Sequence, residues 1–316
     1  MEFSHRPVLL RQCIEGLDID PSGTYLDGTC GGAGHSLRIA EKLTDGRLIG
    51  IDRDPEAVKT ASERLKGYNA LVVKGNFSEV REISERLGIS GYDGILLDLG
   101  VSSYQLDNGE RGFSYNYDAP LDMRMSGEGI SAADIVNGYS AERLAQILSE
   151  YGEERFSFRI ARNIVSAREK KPVETTFELA DIVKASIPAK FKREKNPCKR
   201  TFQAIRIAVN GELDSLDHAL DDMFELLSPG GRLCIITFHS LEDRMVKQRF
   251  ASFCTGCVCP PDFPQCVCGR KPRGRLINRK PIVADEEELA ENNRSHSAKL
   301  RIIEKLMPEP PSPTAI

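Results

Sequence analysis

Hydrophobic positions in the first hundred residues fall into four short apolar runs, and amphipathic segments separate these runs. The runs occupy residues 25–27, 46–54, 68–74 and 92–100. The segments between them carry apolar side chains three and four residues apart, which is the spacing of one helix face. One segment begins with Asp54 and Pro55, a typical helix N-terminus. This alternation predicts a parallel sheet that helices cover on both faces.

The alternation of strands and helices stops near Gln105. From there to about residue 200 the spacing predicts helices alone, which begin near Ser140, Glu153 and Thr176. Sheet character then returns. One long helix and three further strands are predicted over 202–227, 232–238, 276–283 and 299–305.

These elements predict a doubly wound α/β fold with a helical insertion between two strands of its sheet. Two closing strands without a clear helical crossover suit the Rossmann-like class I methyltransferase version of this sheet better than the dehydrogenase version. We expect a core of residues 1–104 and 201–306 and an inserted all-helical domain of residues 105–200. The tail, residues 307–316, carries four prolines and is expected to be disordered.

Composition places the chain among ordinary globular proteins. It has 316 residues, of which 40% are hydrophobic and 28% charged, so it can bury one large core or two smaller ones. A net charge of −4 argues against indiscriminate binding of nucleic acid, so any such contact must use local basic patches. No run approaches the roughly 18 apolar residues of a membrane span, and no signal peptide is evident. Unpaired-looking cysteines such as Cys30 and Cys234 favour a reducing cytoplasm.

A glycine-rich loop follows the first apolar run. Four glycines, Gly28, Gly31, Gly32 and Gly34, lie between Asp27 and a helical segment. Glycine allows positive φ and close approach of a ligand, although such turns also occur for purely steric reasons. Asp52 ends the second run 25 residues after Asp27, where doubly wound folds place an acid on ribose hydroxyls. Asp98 ends the fourth run. Together, the glycine loop, Asp52 and Asp98 predict that a nucleoside cofactor binds here, but they do not identify the cofactor.

Several longer motifs stand in one order along the chain. They begin at His5, Asp27, Ile51, Leu96, Arg111, Leu121, Tyr151, Arg200 and Phe238, and read HRPVLL, DGTCGGAGHS, IDRDP, LLDLGVSS, RGFS, LDMRM, YGEER, RTFQAIR and FHSLEDR. Together they resemble the bacterial small-subunit ribosomal RNA (cytosine-N4)-methyltransferase family. The resemblance covers nearly the whole chain, including the helical insertion.

The resemblance implies S-adenosylmethionine as methyl donor and the N4 amino group of a cytidine in the decoding centre of small-subunit rRNA as target. It also implies an assembled small ribosomal subunit, rather than free RNA, as substrate. The positions that match the donor contacts of the family are Ala33, Gly34, His35, Asp52, Phe77, Asp98 and Gln105. Asp52 suits the ribose diol, and Phe77 can pack on the adenine face.

Methyl transfer from a sulfonium is an in-line displacement, for which an enzyme mainly supplies alignment. We hypothesise that Asp98, helped by Ser102 and Ser103, holds the target amino group and accepts its proton. Alternatively, Asp98 contacts the donor alone. His35 is expected to close the donor pocket rather than act as a general base. His239 either contacts the target base or stabilises its own turn.

Two basic patches, residues 190–200 and 270–280, each hold six cations. We expect both to flank the strand edge where the cofactor binds and to contact RNA phosphates, although charge runs are often solvated faces. The predicted RNA-binding residues are Lys192, Arg193, Lys199, Arg200, His239, Arg273 and Arg275.

Five cysteines lie within fifteen residues: Cys254, Cys257, Cys259, Cys266 and Cys268. Four thiolates could hold a structural zinc ion, but the spacing differs from the usual paired C-x-x-C, so five reduced thiols are an equal alternative.

The sequence thus predicts a cytoplasmic RNA methyltransferase without a membrane segment. A homodimer is compatible with the sequence. Three other interpretations stay open. The chain could be a nucleoside-binding ribosome assembly factor, a methyltransferase of the same fold acting on another RNA or on DNA, or, with less support, a dinucleotide dehydrogenase.

Overall fold

The computed structural model describes residues 7–102, 105–106, 109–188, 191, 196–260 and 267–307. The chain forms two compact units. Unit 1 comprises Met1–Gly100 and Ser215–Ile316, and unit 2 comprises Val101–Asp214. Residues 308–316, most of the tail for which disorder is predicted, lie outside the described residues. No helix in the described part of the chain combines the length and the apolarity that a membrane span requires.

Twelve helices are described here in chain order. They are α1 (Leu10–Leu17), α2 (Gly34–Ala40), α3 (Pro55–Arg64), α4 (Val80–Arg86), α5 (Ala132–Gly138), α6 (Ala141–Glu150), α7 (Ser157–Arg168), α8 (Thr176–Ser186), α9 (Lys199–Asn210), α10 (Glu212–Leu226), α11 (Ser240–Cys254) and α12 (Glu286–Glu291). Short 3₁₀ turns cover Phe77–Glu79, Gly109–Arg111 and Asn293–Ser297.

Unit 1 contains a seven-stranded sheet in the order β3-β2-β1-β4-β5-β7-β6. The strands are β1 (Thr24–Asp27), β2 (Arg47–Asp52), β3 (Ala70–Lys74), β4 (Tyr92–Asp98), β5 (Leu227–Thr237), β6 (Gly274–Leu276) and β7 (Lys299–Lys305). Strands β1 to β5 are parallel, whereas β7 runs antiparallel to both β5 and β6. The predicted doubly wound sheet of the methyltransferase type, with helices inserted between β4 and β5, is confirmed.

Alternate residues of the central strands face opposite sides of the sheet, as a pleated strand requires. On β5, Leu233 and Ile235 pack in one apolar cluster, which includes side chains from α4, α10 and α11. Cys234 and Ile236 pack in the other, which includes side chains from α1, α2 and α3. The sheet is therefore buried on both faces, and its ligand-accessible parts are the strand ends.

Unit 2 is built from helices around a core of its own. Ser131, Ser140 and Thr175 each accept a backbone N–H at a helix start, which explains where α5, α6 and α8 begin. The core side chains come from five helices and include Ile135, Leu144, Leu148, Ile160, Ile164, Leu179, Val183, Phe202 and Ile205. Because Phe202 and Ile205 belong to this core, α9 lies in unit 2, and the second boundary falls after Asp214 rather than after residue 200.

Two predicted elements are wrong in their extent. The single helix over 202–227 is two helices, since Gly211 has φ +57° and ends α9. The strand over 276–283 is reduced to β6 and an isolated bridge at Ile282. Between them the side chain of Asn278 donates to the Leu300 carbonyl and accepts the Ile302 N–H, so it replaces the backbone ladder at that point.

Phe253 offers a test of the core of unit 1. Its side chain is 2% exposed, and its ring stacks on Phe224 with ring centroids 4.0 Å apart. Phe253→Ala is expected to lower the free energy of unfolding by about 3–5 kcal/mol, because it leaves a cavity in a packed layer. The control Val283→Ala, at a side chain 57% exposed, should change it by no more than about 0.5 kcal/mol. Urea denaturation followed by circular dichroism gives both values, and equal losses would contradict the assignment.

Candidate active site

The loop after β1 is folded around the side chain of Asp27. This carboxylate is buried and accepts hydrogen bonds from Ser36 Oγ at 2.6 Å and from the Thr29 N–H at 3.2 Å. Burial raises the pKa of Asp27 to about 6, and the two hydrogen bonds oppose this rise. Asp27 therefore fixes the loop from inside, in a role that the sequence analysis did not give it.

Two of the loop glycines have a steric explanation. A Cβ atom at Gly28 would lie 2.5 Å from Leu97, and one at Gly34 would lie 2.5 Å from Pro7. Gly31 is different, because it has φ +49° and its N–H donates to Asp52. Ala33 adopts φ 61° directly before α2, an uncommon conformation for a residue other than glycine. The steric explanation therefore applies to Gly28 and Gly34, whereas the positive φ angle explains the glycine at Gly31.

Asp52 joins the end of β2 to the loop after β1. Its Oδ2 accepts the Gly31 N–H at 2.8 Å, and its Oδ1 accepts the Asp54 N–H at 2.9 Å. Burial raises the pKa of Asp52, and the same two N–H groups oppose the rise. A carboxylate has about four acceptor positions, so further hydroxyl donors can be bound at these oxygens. This position suits a ribose diol.

Asp98 ends β4 and carries the most perturbed carboxyl group of the site. Its backbone N–H donates to Thr29 Oγ1 at 2.6 Å, which fixes the strand end. Its Oδ1 atom is buried and has no hydrogen-bond partner among the described residues. Burial, with the negative charges of Asp27 and Glu242, raises the pKa of Asp98 to about 8. An unpaired oxygen in such surroundings favours a ligand that donates a hydrogen bond.

His35 lies beside Asp98 and is buried. Its Nε2 is 3.0 Å from the Val8 carbonyl oxygen, which can only accept, so Nε2 carries the proton. Burial lowers the pKa of His35 to about 4, so the ring is neutral and its Nδ1 is a lone pair. This Nδ1 lies 3.7 Å from Asp98 Oδ2. Two acceptors then face each other, and a proton held on the carboxyl group relieves their repulsion.

The predicted donor-binding residues of unit 1 come together at the carboxyl ends of neighbouring strands. Phe77 follows β3 and lies beside the loop, with its Cβ 3.3 Å from the position of a Cβ on Gly28. Gln105 belongs to unit 2, where it is buried and forms a reciprocal pair with Ser102. Gln105 Oε1 accepts the Ser102 N–H at 3.1 Å, and Ser102 Oγ accepts the Gln105 N–H at 3.2 Å. Ser103 lies outside the described residues.

His239 caps α11. Its Nδ1 accepts the Glu242 N–H at 3.4 Å, and Glu242 Oε2 accepts the Phe238 N–H at 2.8 Å. His239 therefore stabilises its own turn, which is one of the two predicted alternatives. Glu242 is itself buried, and its negative charge acts on Asp98. His239 and Glu242 are three residues apart, which is the spacing of a capping box. This spacing in the sequence could have indicated the role of both residues at the start of α11.

Two residues of the second basic patch, Arg273 and Arg275, do not flank the carboxyl edge of the sheet, so the expectation is wrong for these two. Strand β6 pairs with the last residues of β7, which themselves lie beside Arg232 near the start of β5. Arg273 pairs with Glu225 and stacks over Phe253, and Arg275 donates to Glu304 at 2.7 Å. Both guanidinium groups therefore have protein partners at the amino edge.

The first basic patch lies in unit 2. Lys199 and Arg200 are exposed in the first turn of α9, and Arg200 also donates to the Glu153 carbonyl at 2.9 Å. Lys192 and Arg193 lie outside the described residues.

The structure gathers three of the five clustered cysteines. The sulfur atoms of Cys257, Cys259 and Cys268 all lie within 4.8 Å of one another. Cys254 is not part of this group, because it ends α11 and packs against the apolar core of unit 1. Cys266 lies outside the described residues.

Comparison with known proteins gives one consistent result. The model of the MraW methylase family matches residues 2–306. Two proteins named ribosomal RNA small subunit methyltransferase H, from Lachnospira eligens and Brevibacillus brevis, are each 55% identical to the chain over 311 residues. In both cases the match covers 97% of this chain and 99% of the relative. A third protein of this name, from Acetivibrio thermocellus, is 55% identical over 97% of this chain and 100% of its own.

The raised pKa of Asp98 predicts how the stability of the ligand-free protein depends on pH. An unfolded aspartate loses its proton near pH 4, whereas folded Asp98 keeps its proton to about pH 8. The folded state therefore binds more protons in this interval, and its stability falls as pH rises through it. Asp98→Asn removes this loss and should raise the free energy of unfolding at pH 8 by roughly 1–3 kcal/mol, but hardly at pH 4.

Urea denaturation at several pH values measures this difference. The control Asp45→Asn, at an exposed position, should show no such pH-dependent gain. An Asp98→Asn variant whose stability differs from the parent by the same amount at both pH values would contradict a raised pKa.

Proposed function

The chain belongs to the MraW methylase family, and we propose that it transfers a methyl group from S-adenosylmethionine to the N4 amino group of a cytidine in small-subunit ribosomal RNA. The observation that carries this proposal is the buried, unpaired Oδ1 of Asp98 at the strand edge that also holds Asp52. The near full-length identity to proteins named for methylation of this RNA supports it. Nothing in this match favours the dehydrogenase interpretation.

The residues present at this edge fit the donor. Asp52 would accept hydrogen bonds from the ribose hydroxyls, and Phe77 would pack on the adenine ring. Backbone N–H groups around Ala33 and Gly34 would face the carboxylate of the methionine part, while neutral His35 closes the pocket. When bound, S-adenosylmethionine supplies an electrophilic methyl group on a positively charged sulfur.

Asp98 is proposed to act on the target amino group. The N4 lone pair of cytosine is delocalised into the ring, which makes the nitrogen a poor nucleophile. If Asp98 Oδ1 accepts an N4–H hydrogen bond, it orients the amino group and can receive its proton. A cation beside Asp98 lowers its raised pKa, so Asp98 would be a carboxylate when the positively charged donor is present. Ser102 and Ser103 remain proposed helpers of this step.

The RNA contacts belong to the proposal as well. Lys199 and Arg200, with Lys192 and Arg193, would approach phosphates from unit 2. Arg273 and Arg275 are weaker candidates, because both guanidinium groups pair with glutamates, and His239 is a weaker candidate because it caps α11. We keep the assembled small subunit as the proposed substrate, the cytoplasm as the proposed location, and a homodimer as an untested expectation.

The predicted zinc ion is proposed as a structural component rather than as part of the transfer. Cys257, Cys259 and Cys268 follow α11, which begins after the carboxyl end of β5 and extends for 15 residues. A helix of that length spans about 22 Å. The thiols therefore lie far from the atoms that would react.

Two substitutions separate donor binding from the transfer step. Asp52→Ala removes acceptors for the ribose and should weaken donor binding by about 10- to 100-fold. Asp98→Asn preserves shape but cannot take a proton, so it should lower kcat by about 10²- to 10⁴-fold at saturating donor. Calorimetry with S-adenosylmethionine and single-turnover methyl transfer to small subunits that lack the modification measure both, with Asp45→Asn as the unaffected control.

Mass mapping of the RNA then identifies the modified nucleotide. A methyl group on N4 of one cytidine is expected. Binding of the donor without methylation of any nucleotide would support the assembly-factor alternative and overturn the proposal, and methylation of a different RNA or of DNA would overturn the substrate assignment. Full turnover by Asp98→Asn would remove the proton-accepting role from Asp98.

A further inference from the structure

We infer that the thiolates of Cys257, Cys259 and Cys268 bind a zinc ion that crosslinks the segment between α11 and β6. This inference specifies the zinc component proposed above and does not depend on the methyl-transfer reaction. Three sulfur atoms from two separate stretches of this segment lie within 4.8 Å of one another. Such convergence of soft ligands is typical of structural zinc sites.

The spacing of the sulfur atoms fits a metal better than a disulfide. Zinc–sulfur bonds are about 2.3 Å long, so two thiolates on one tetrahedral ion are about 3.8 Å apart. The sulfurs of Cys257 and Cys268 are 3.7 Å apart. A disulfide requires about 2.05 Å. The observed separation is that of a thiol–thiol contact, and it is also the separation that two thiolates on one zinc ion require.

The backbone of unit 1 holds the two stretches together at their base. The Arg273 N–H donates to the Phe253 carbonyl at 2.8 Å, and Arg270 donates to the Ser252 carbonyl at 3.0 Å. A Cβ on Gly256 would lie 3.1 Å from Pro272, so the chain is close-packed at the start of the segment. These contacts hold the two ends of the segment together beside α11 and β6.

Beyond this base, the described part of the segment has little apolar core. None of its described residues, 255–260 and 267–272, is buried. Val258 is 57% exposed and Val267 is 74% exposed, so these apolar side chains do not hold it in place. Segments that cannot bury a core are commonly stabilised by disulfides or metals. Cys257, Cys259 and Cys268 are free thiols, so a metal ion is a stabilising element that these residues can provide.

Two positively charged residues lie close to the cysteines in the chain. Arg270 and Lys271 follow Cys268 directly in the chain after Gly269. Three thiolates on a divalent ion carry a net negative charge, which neighbouring cations stabilise. The segment therefore supplies both the ligands and the compensating charge.

Cys254 provides a matched control within the same stretch of sequence. It is partly buried against the apolar core, and the Leu276 N–H lies at its sulfur. Burial raises the pKa of Cys254, and its sulfur atom is not among the three that lie together. A serine at this position should leave metal binding intact.

The test is metal content of the full chain purified without chelator. We expect about one zinc per chain in the parent protein and in Cys254→Ser, and less than about a tenth of that in Cys257→Ser, Cys259→Ser and Cys268→Ser. Replacement by Co²⁺ should give thiolate charge-transfer and tetrahedral d–d absorption bands in the parent protein and Cys254→Ser alone. Chelation should lower Tm by several degrees in these two proteins and leave the three ligand variants unchanged.

Three outcomes would overturn the inference. They are absence of stoichiometric zinc in the parent protein even after loading, loss of zinc in Cys254→Ser to the same extent as in the ligand variants, and a disulfide between Cys257 and Cys268 in protein purified without oxygen. Since metal content and Co²⁺ spectra are measured without donor or RNA, failure here is distinguishable from failure of the proposed methyl transfer.

Discussion

The candidate site depends on a single electrostatic constraint, the placement of the Asp98 carboxyl group among acceptors. Asp27 and Glu242 present negative charge, and His35 presents a lone pair because its Nε2–H is used by the Val8 carbonyl. No described residue donates to Asp98 Oδ1. The ligand-free protein therefore keeps this group protonated near neutral pH, and a cation or an N–H donor is what the surroundings lack. In the proposed reaction, the sulfonium of the donor would supply the cation and the exocyclic amine of the target would supply the N–H donor.

Periodicity of apolar residues was sufficient to predict the parallel part of the sheet. Strands β1, β2 and β4 are short, largely buried runs, and each ends at an aspartate that the topology brings to one edge. Once parallel order is inferred, the proximity of Asp52 and Asp98 to the glycine loop follows from it. Periodicity could not predict that Gly211 ends a helix, because this depends on a single φ angle. It also could not predict that Asn278 replaces backbone pairing, because this depends on a single side chain.

Charged residues were harder to interpret from sequence, since the partner of a charge lies far along the chain. Arg273 and Arg275 look like part of a binding patch until β7 and α10 bring Glu304 and Glu225 beside them. The pKa of Asp98 likewise depends on Glu242, which reaches it only through the pairing of β4 with β5. A run of like charges in a sequence is therefore not sufficient to predict an RNA-binding surface. The fold determines whether each charge is paired with another residue of the protein or is available to bind RNA.

Helix α11 connects the chemical and the structural parts of unit 1. At its first turn the capping pair of His239 and Glu242 fixes the helix and also places the negative charge that raises the pKa of Asp98. That raised pKa costs the folded state free energy at neutral pH, as a group poised for binding must. At the other end of α11, Phe253 packs in the core and the cysteine segment begins. Packing and a metal crosslink at that end would offset part of the cost without altering the carboxyl edge of the sheet.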